Sequence, residues 1–302
     1  MKTILNKNFF SNFHRNGVIS IFLAVPFVAL TGLFGKWITL PPILIVQWRT
    51  IFAFITILIF LKIFREKIFF KSFREFLWFF ISGLILGAHW IAFFRAIQVS
   101  TVAIGLLSYV SYPLFTSVLE PIFFSDSKKN NNFFPTFFVL FGLVLIGTSQ
   151  GNLDKIISGY FLEGVLWGIL AGFGFAVLTL LNRSHVCDKS PLLLTFWQNG
   201  FAALILIPFS FSESYIVSQR DWILLLVLGV VCTVGGHSLL INGLRYIRAQ
   251  LASLLIAGLE PVLAILFAFI FLGEIPNLRT IIGGVLILFA TIILTRKNHK
   301  EN

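Results

Sequence analysis

The stretch TVAIGLLSYVSYPLFTSVLEPIFFSD, residues 101–126, and the stretch AQLASLLIAGLEPVLAILFAFIFLGE, residues 249–274, lie 148 positions apart. At that shift Leu106-Leu107 falls on Leu254-Leu255, Pro113 on Pro261 and Asp126 on Glu274. The same shift carries Gly87 onto Gly235 and His89 onto His237, so that GAHW at 87–90 overlies GGHS at 235–238. A shift of 149 brings Pro42, Trp48 and Phe52-Ala53 onto Pro191, Trp197 and Phe201-Ala202, and a shift of 147 brings Gly17-Val18 onto Gly164-Val165. One match is cheap in so apolar an alphabet. A near-constant offset carrying His, Pro and Trp is hard to reach by chance, and the chain reads as two copies of one unit.

Of the 302 residues, 58% are hydrophobic and 12% charged, against about 45–50% and about 25% in a soluble domain. Apolar runs of roughly 20 residues, each enough to cross a ~30 Å hydrocarbon core, recur from end to end. They predict an all-α polytopic membrane protein with ten spans, at 17–37, 43–63, 75–97, 100–123, 133–149, 161–182, 191–211, 221–244, 249–272 and 277–295. The first run has no small-residue cleavage site after it and does not read as a cleaved signal. Cys187, in a loop, and Cys232, in a span, supply neither a disulfide nor a metal framework.

The +11 net charge is explained by topology. With the N-terminus inside, the cytoplasmic side holds the basic residues from Lys2 to Arg15, Lys62 to Arg74, Lys128-Lys129, Arg183 and Lys189, Arg245 and Arg248, and Arg296 to Lys300. The other side holds only Lys36, Lys155, Arg220 and Arg279. That asymmetry predicts both termini in the cytoplasm, and anionic lipid as the partner of the charge with no nucleic acid involved. Each half then holds five spans. Because five is odd, the second half enters the membrane inverted, which is the build of secondary transporters with a site between the halves near the midplane.

The two quoted stretches, with the ten-span plan, resemble the drug/metabolite transporter superfamily and its EamA-type members, over nearly the whole chain. The ninth span, with Glu260-Pro261 inside it and Gly273-Glu274 at its end, is the best marker; in the first half Tyr112 stands for the glutamate and Ser125-Asp126 for Gly-Glu. Arg49 is similar to an arginine often found there in the family, with Gln198 at its repeat position. The resemblance implies ten helices around a central cavity and export or exchange of small metabolites. The expected layout is a cytoplasmic segment 1–16, a five-helix repeat 17–150, a linker 151–160, a second repeat 161–295 and a cytoplasmic tail 296–302, in a bacterial inner membrane and as a monomer.

His89 and His237 sit mid-span, where ionisable groups face the bundle interior or a wet cavity. They line that cavity or hydrogen-bond a neighbouring helix, and the small residues before them suit close packing equally. Two histidines alone are too few for a zinc site. Thr101, Gly105, Ser108 and Tyr112 share a helical face, and Ala249, Ser253, Ala257 and Glu260 nearly repeat it. The hydroxyls of Tyr109 and Tyr112 favour a pore wall over a seam. The expected substrate-binding set is His89, Trp90, Ser108, Tyr109, Tyr112, His237, Asn242 and Glu260, with no catalytic residue, metal or cofactor.

Glu260 is the only carboxylate at mid-depth, Glu120 lying nearer the cytoplasmic water. As such it is either a proton carrier or a partner for a cation or for backbone freed by Pro261. Pro113 and Pro261 are hinge candidates or static bends. Arg49 and Arg95 read as snorkelling to the outer surface, pairing of Arg49 with an anionic substrate being the sharper alternative. The glycines of the sixth span read as a packing face. No HExxH, GxSxG or in-span aspartate pair marks an enzyme, and no GxxxxGK[ST] loop marks ATP drive. The expected function is a secondary transporter of amino acids or related zwitterionic or cationic compounds, working by alternating access. A channel-like facilitator or a membrane-embedded enzyme is the alternative.

Overall fold

A computed structural model describes residues 2–100, 102–124, 159–210 and 215–272, with isolated positions at 137, 141, 278, 281, 282, 285, 286 and 289. The expected fifth and tenth spans lie outside the described residues apart from those isolated positions, as do Thr101, Ser125, Asp126, Gly273 and Glu274. The described elements are helical: α1 Lys2–Trp37, α2 Pro42–Ile63, α3 Phe73–Val99, α4 Val102–Tyr109, α5 Tyr112–Phe123, α6 Gly159–His185, α7 Pro191–Ser210 and α8 Gln219–Val227. A π-helical segment, Leu228–His237, runs on into α9 Ser238–Leu244, and α10 Ala249–Leu272 follows. Seven stretches among them are long and apolar enough to cross a membrane, the eighth expected span being the composite Gln219–Leu244. Apolar side chains such as Leu23, Ile59, Phe60, Leu166 and Ile223 project outward, as faces turned to hydrocarbon require.

Local chemistry sets the helix ends. Pro42 opens α2 at the position where a missing N–H costs nothing. Ser72 caps α3 by accepting from Glu75 N at 3.2 Å, while Glu75 Oε2 accepts from Lys71 N at 2.6 Å, a reciprocal arrangement close to a capping box. Ser218 caps α8 through Asp221 N at 3.0 Å.

Two spans depart from simple helices. The fourth breaks at Val110-Ser111, immediately before Pro113, because Pro113 has no N–H to return to Tyr109 and crowds the preceding turn. Its partner Pro261 lies inside the continuous α10, so the two hinge candidates are structurally unlike.

The eighth span differs from the third through the π segment. A Cβ on Gly83 would fall 2.6 Å from Phe201 Cβ and 3.0 Å from Gln198 O; a Cβ on Gly229 would fall 2.7 Å from Phe52 Cβ and 2.8 Å from Arg49 O. Phe52 and Phe201, like Arg49 and Gln198, are repeat mates at a shift of 149, so these contacts are the same contact with the halves exchanged, at a glycine shift of 146. One or two turns on, a Cβ on Gly174 would lie 3.1 Å from His89 Cβ, and a Cβ on Gly236 would lie 3.1 Å from Phe27 Cβ. Here the contact exchanges at a shift of 147. The second half therefore carries one extra residue between Gly229 and Gly236, and the π-helical turn absorbs it, as a one-residue insertion does. The mirror of His89 is consequently Gly236, and His237 sits one position further on.

The same exchange governs the helix packing. The third span rests on the sixth as the first rests on the eighth; α4 packs on α6 as α1 packs on α10; α2 meets α7, and α5 meets α10. The glycines of α6 are the close-contact face expected of them. Gly168 backs onto Ser108 Cβ and Gly172 onto the Tyr109 carbonyl, where a Cβ would stand 2.4 and 2.5 Å away.

Candidate functional site

The helices converge on a buried aromatic and polar cluster. Trp90 and His89 from α3, Tyr109 from α4, Tyr112 from α5, Phe175 from α6 and His237 from the π segment meet there, all 6% exposed or less. Trp90 is the hub, its ring centroid 4.7 Å from His89 and 5.6 Å from His237. Tyr109 stacks on His89 at 5.7 Å and tilts against Tyr112 at 5.0 Å, while Tyr112 meets Phe175 edge-on at 4.8 Å. Glu260 of α10 is 1% exposed and lies within electrostatic reach of both tyrosines.

His89 makes the helix tie that was one of its two readings. Its Nδ1 lies 2.9 Å from the Ala171 carbonyl and ties α3 to α6, while its Nε2 is buried without a partner. Trp90 Nε1, Tyr112 Oη and Glu260 Oε2 are also buried and unpartnered. An unmade hydrogen bond on a buried polar group costs about 1–3 kcal/mol. Several such groups on one aromatic lining are what a site shaped for a polar ligand presents.

Two members of the expected set lie elsewhere. Ser108 faces the seam with Gly168. Asn242 donates to Ser20 Oγ at 3.2 Å, and Ser20 donates to the Leu239 carbonyl at 2.7 Å, so this pair joins α9 to α1. Gly105 likewise packs on Ile97 and Ala96. Of the described members of the fourth-span stripe, Gly105 and Ser108 therefore form a seam, and Tyr112 turns to the centre.

Arg49 is the residue the sequence reading misplaced. It does not snorkel. It is 1% exposed, donates Nε and Nη2 to Thr233 Oγ1 at 3.1 and 2.8 Å, and lays its guanidinium carbon 3.8 Å from the Trp90 centroid. Thr233, at the heart of the π segment, was absent from the expected set altogether; the one trace of it in sequence is the changing repeat offset. Arg95 does lie at the surface, paired with Glu163 at 2.9 Å.

Polar ties join the helices at both ends. On the Arg95 side, Asp221 accepts from Thr39 N and Oγ1 at 3.3 and 2.8 Å, and Gln98 donates to the Leu40 carbonyl at 2.8 Å. On the other side Glu120 is not in water, as expected, but 1% exposed. It accepts from Ala249 N and Gln250 N, at 2.8 and 2.9 Å, and pairs with Arg183. The N-terminus of α10 supplies those free amides, which favour a carboxylate there. Arg245 donates to the carbonyls of Val186 and Lys189 nearby. The aromatic centre lies between these ties.

Comparison with known proteins gives a consistent answer. The model of the EamA-like transporter family matches residues 15–148 and again residues 162–296. An uncharacterized transporter of Bacillus subtilis, YxxF, is 28% identical over 73% of this chain and 70% of its own length. The pseudopaline exporter CntI of Pseudomonas aeruginosa is 26% identical over 72% and 74%. The S-adenosylmethionine uptake transporter of Rickettsia conorii is 23% identical over 73% and 72%. A solved crystal structure superposes with a TM-score of 0.73 at 17% identity, covering 94% of this chain and 98% of that one; this likeness concerns the fold.

Proposed function

The chain belongs to the EamA-like transporter family, and from that premise we propose that it is a secondary transporter working by alternating access. It is an integral, multi-pass membrane protein rather than an enzyme. The cargo we assign is a small metabolite, an amino acid or a related zwitterionic or cationic compound. The observation that carries this reading is the closed central cluster: His89, Trp90, Tyr112 and Glu260 bring unpartnered polar atoms to one aromatic lining where the halves meet. Aromatic faces suit an organic cation or ammonium, and a carboxyl group among them suits one further. The relatives named for pseudopaline export and for S-adenosylmethionine uptake support small-molecule cargo, and between them they support either direction of movement.

In this reading the chain holds ten helices as two inverted five-helix repeats, 17–150 and 161–295, in a bacterial cytoplasmic membrane. Both termini are cytoplasmic and the protein is monomeric. The exchange of packing contacts between the halves and the double family match support the repeat, and the distribution of basic residues supports the orientation. Glu260 carries the proton, and the break before Pro113 flexes between open states while Pro261 bends with α10.

Counterflow tests the carrier. Vesicles containing the protein and loaded with a mixture of the twenty common amino acids should take up an externally added labelled one faster than unloaded vesicles, with saturation. Uptake that is linear in concentration and indifferent to the internal load would show a channel.

A further inference from the structure

We infer that Arg49, seated on Thr233 and Trp90, is the binding site for a carboxylate group of the transported compound. The inference rests on the carrier reading above and narrows its cargo to compounds bearing a carboxylate, amino acids among them, and away from simple cations.

Arg49 is a permanently charged group at 1% exposure, and what it touches is neutral. Ion pairs among the described residues include Arg95 with Glu163, Arg183 with Glu120 and Lys189 with Glu75; no carboxylate of a described residue pairs with Arg49. Its Nη1 is buried with no partner. The Trp90 face offsets part of the desolvation by a cation–π contact, but a buried cation stays costly until an anion meets it.

The geometry shows which edge is left for that anion. Nε and Nη2 form one donor edge of the planar guanidinium, and Thr233 Oγ1 occupies it. Thr233 gives its own proton to the Leu228 carbonyl, five residues back, at 2.8 Å, so its lone pairs point at Arg49. That acceptor register belongs to the π-helical turn. The remaining edge, Nη1 with the second hydrogen of Nη2, is the fork that receives a carboxylate through two parallel hydrogen bonds.

The repeat supplies a contrast. Gln198, the mate of Arg49, is neutral and is used up in part by donating to Asn182 Oδ1 at 2.6 Å. Among the described residues the centre therefore has one cationic pole.

The test is thermal unfolding of the full chain in lipid nanodiscs. The probes are the twenty common amino acids and, for each, the amide of its α-carboxylate. At least one acid should raise the wild-type midpoint by about 5 °C at a hundredfold excess over its Kd, and its amide should not. Arg49→Met, similar in length and uncharged, should lose that shift while unfolding no lower than wild type without probe. Arg49→Lys, which keeps charge but not the fork, and Thr233→Val should each weaken it. The inference fails if acids and amides act alike, if no acid shifts the wild type, if Arg49→Met keeps the shift, or if that variant unfolds well below wild type. Counterflow in wild-type vesicles would survive a failed acid–amide contrast or an Arg49→Met variant that keeps the shift, whereas absence of counterflow together with no shift by any acid would remove the carrier reading itself.

Discussion

Glu260→Gln is expected to abolish accumulation driven by a pH gradient in reconstituted vesicles while leaving exchange of substrate intact. Among the described residues Glu260 is the one carboxyl in the aromatic centre, 1% exposed, with Oε2 unpartnered and no ion pair to Arg49. Its mate at the 148 shift is Tyr112, so on the carrier reading proposed above Glu260 is the group that takes up a proton in one open state and releases it in the other. Glutamine keeps the shape of the side chain, and a swap that conserves volume costs less than about 1.5 kcal/mol. The loss of coupling should therefore appear without loss of folded protein. Undiminished accumulation by the variant after a pH step would remove Glu260 from the coupling path.

Glu120→Ala is expected to lower the unfolding midpoint by about 10 °C, since removing one partner of a buried ion pair costs about 3–5 kcal/mol. The carboxylate holds together three elements: its own α5, α6 through Arg183, and the first two amides of α10. Gln250 adds a second tie to α5, donating to Ser117 Oγ at 3.0 Å. Because these contacts close one end of the central cluster, the variant should also favour the state open at that end. The check is calorimetry of the purified variant beside Arg183→Ala, which should fall by a comparable amount. A midpoint equal to wild type would show that the clamp contributes nothing to the closed end.

Much of the fold was legible because apolar length and repeat offset are properties of the chain itself. Pro113 announced a broken helix, and the α6 glycines announced a close seam. The burial of His89, Trp90, Tyr109, Tyr112, His237 and Glu260 was legible for a similar reason: polar or amphipathic groups at mid-depth turn inward wherever they are placed. Asn242 and Ser108 obey the same pressure but satisfy it against a neighbouring helix, a choice that depends on which helix lies alongside.

Arg49 was misread for a different reason. It stands seven residues into α2, about 10 Å below the helix start at 1.5 Å per residue, within reach of water for a long side chain. What denies it water is tertiary: the third and eighth spans pack over it, and Thr233 captures its head. The π segment that presents Thr233 arises from one extra residue between Gly229 and Gly236. In sequence this leaves only a wavering offset of 146 to 149, which has no meaning until the mirrored glycine contacts show where the register slips.

The central claim is that the aromatic cluster is reached from each side of the membrane in turn. Tyr112→Cys in a background of Cys187→Ser and Cys232→Ala, labelled with a membrane-impermeant maleimide, tests it directly. Alternating access predicts labelling when the reagent is added to either side, with prior saturation from one side abolishing reaction from the other. Reaction from one side only, under every condition of substrate and pH, would contradict it.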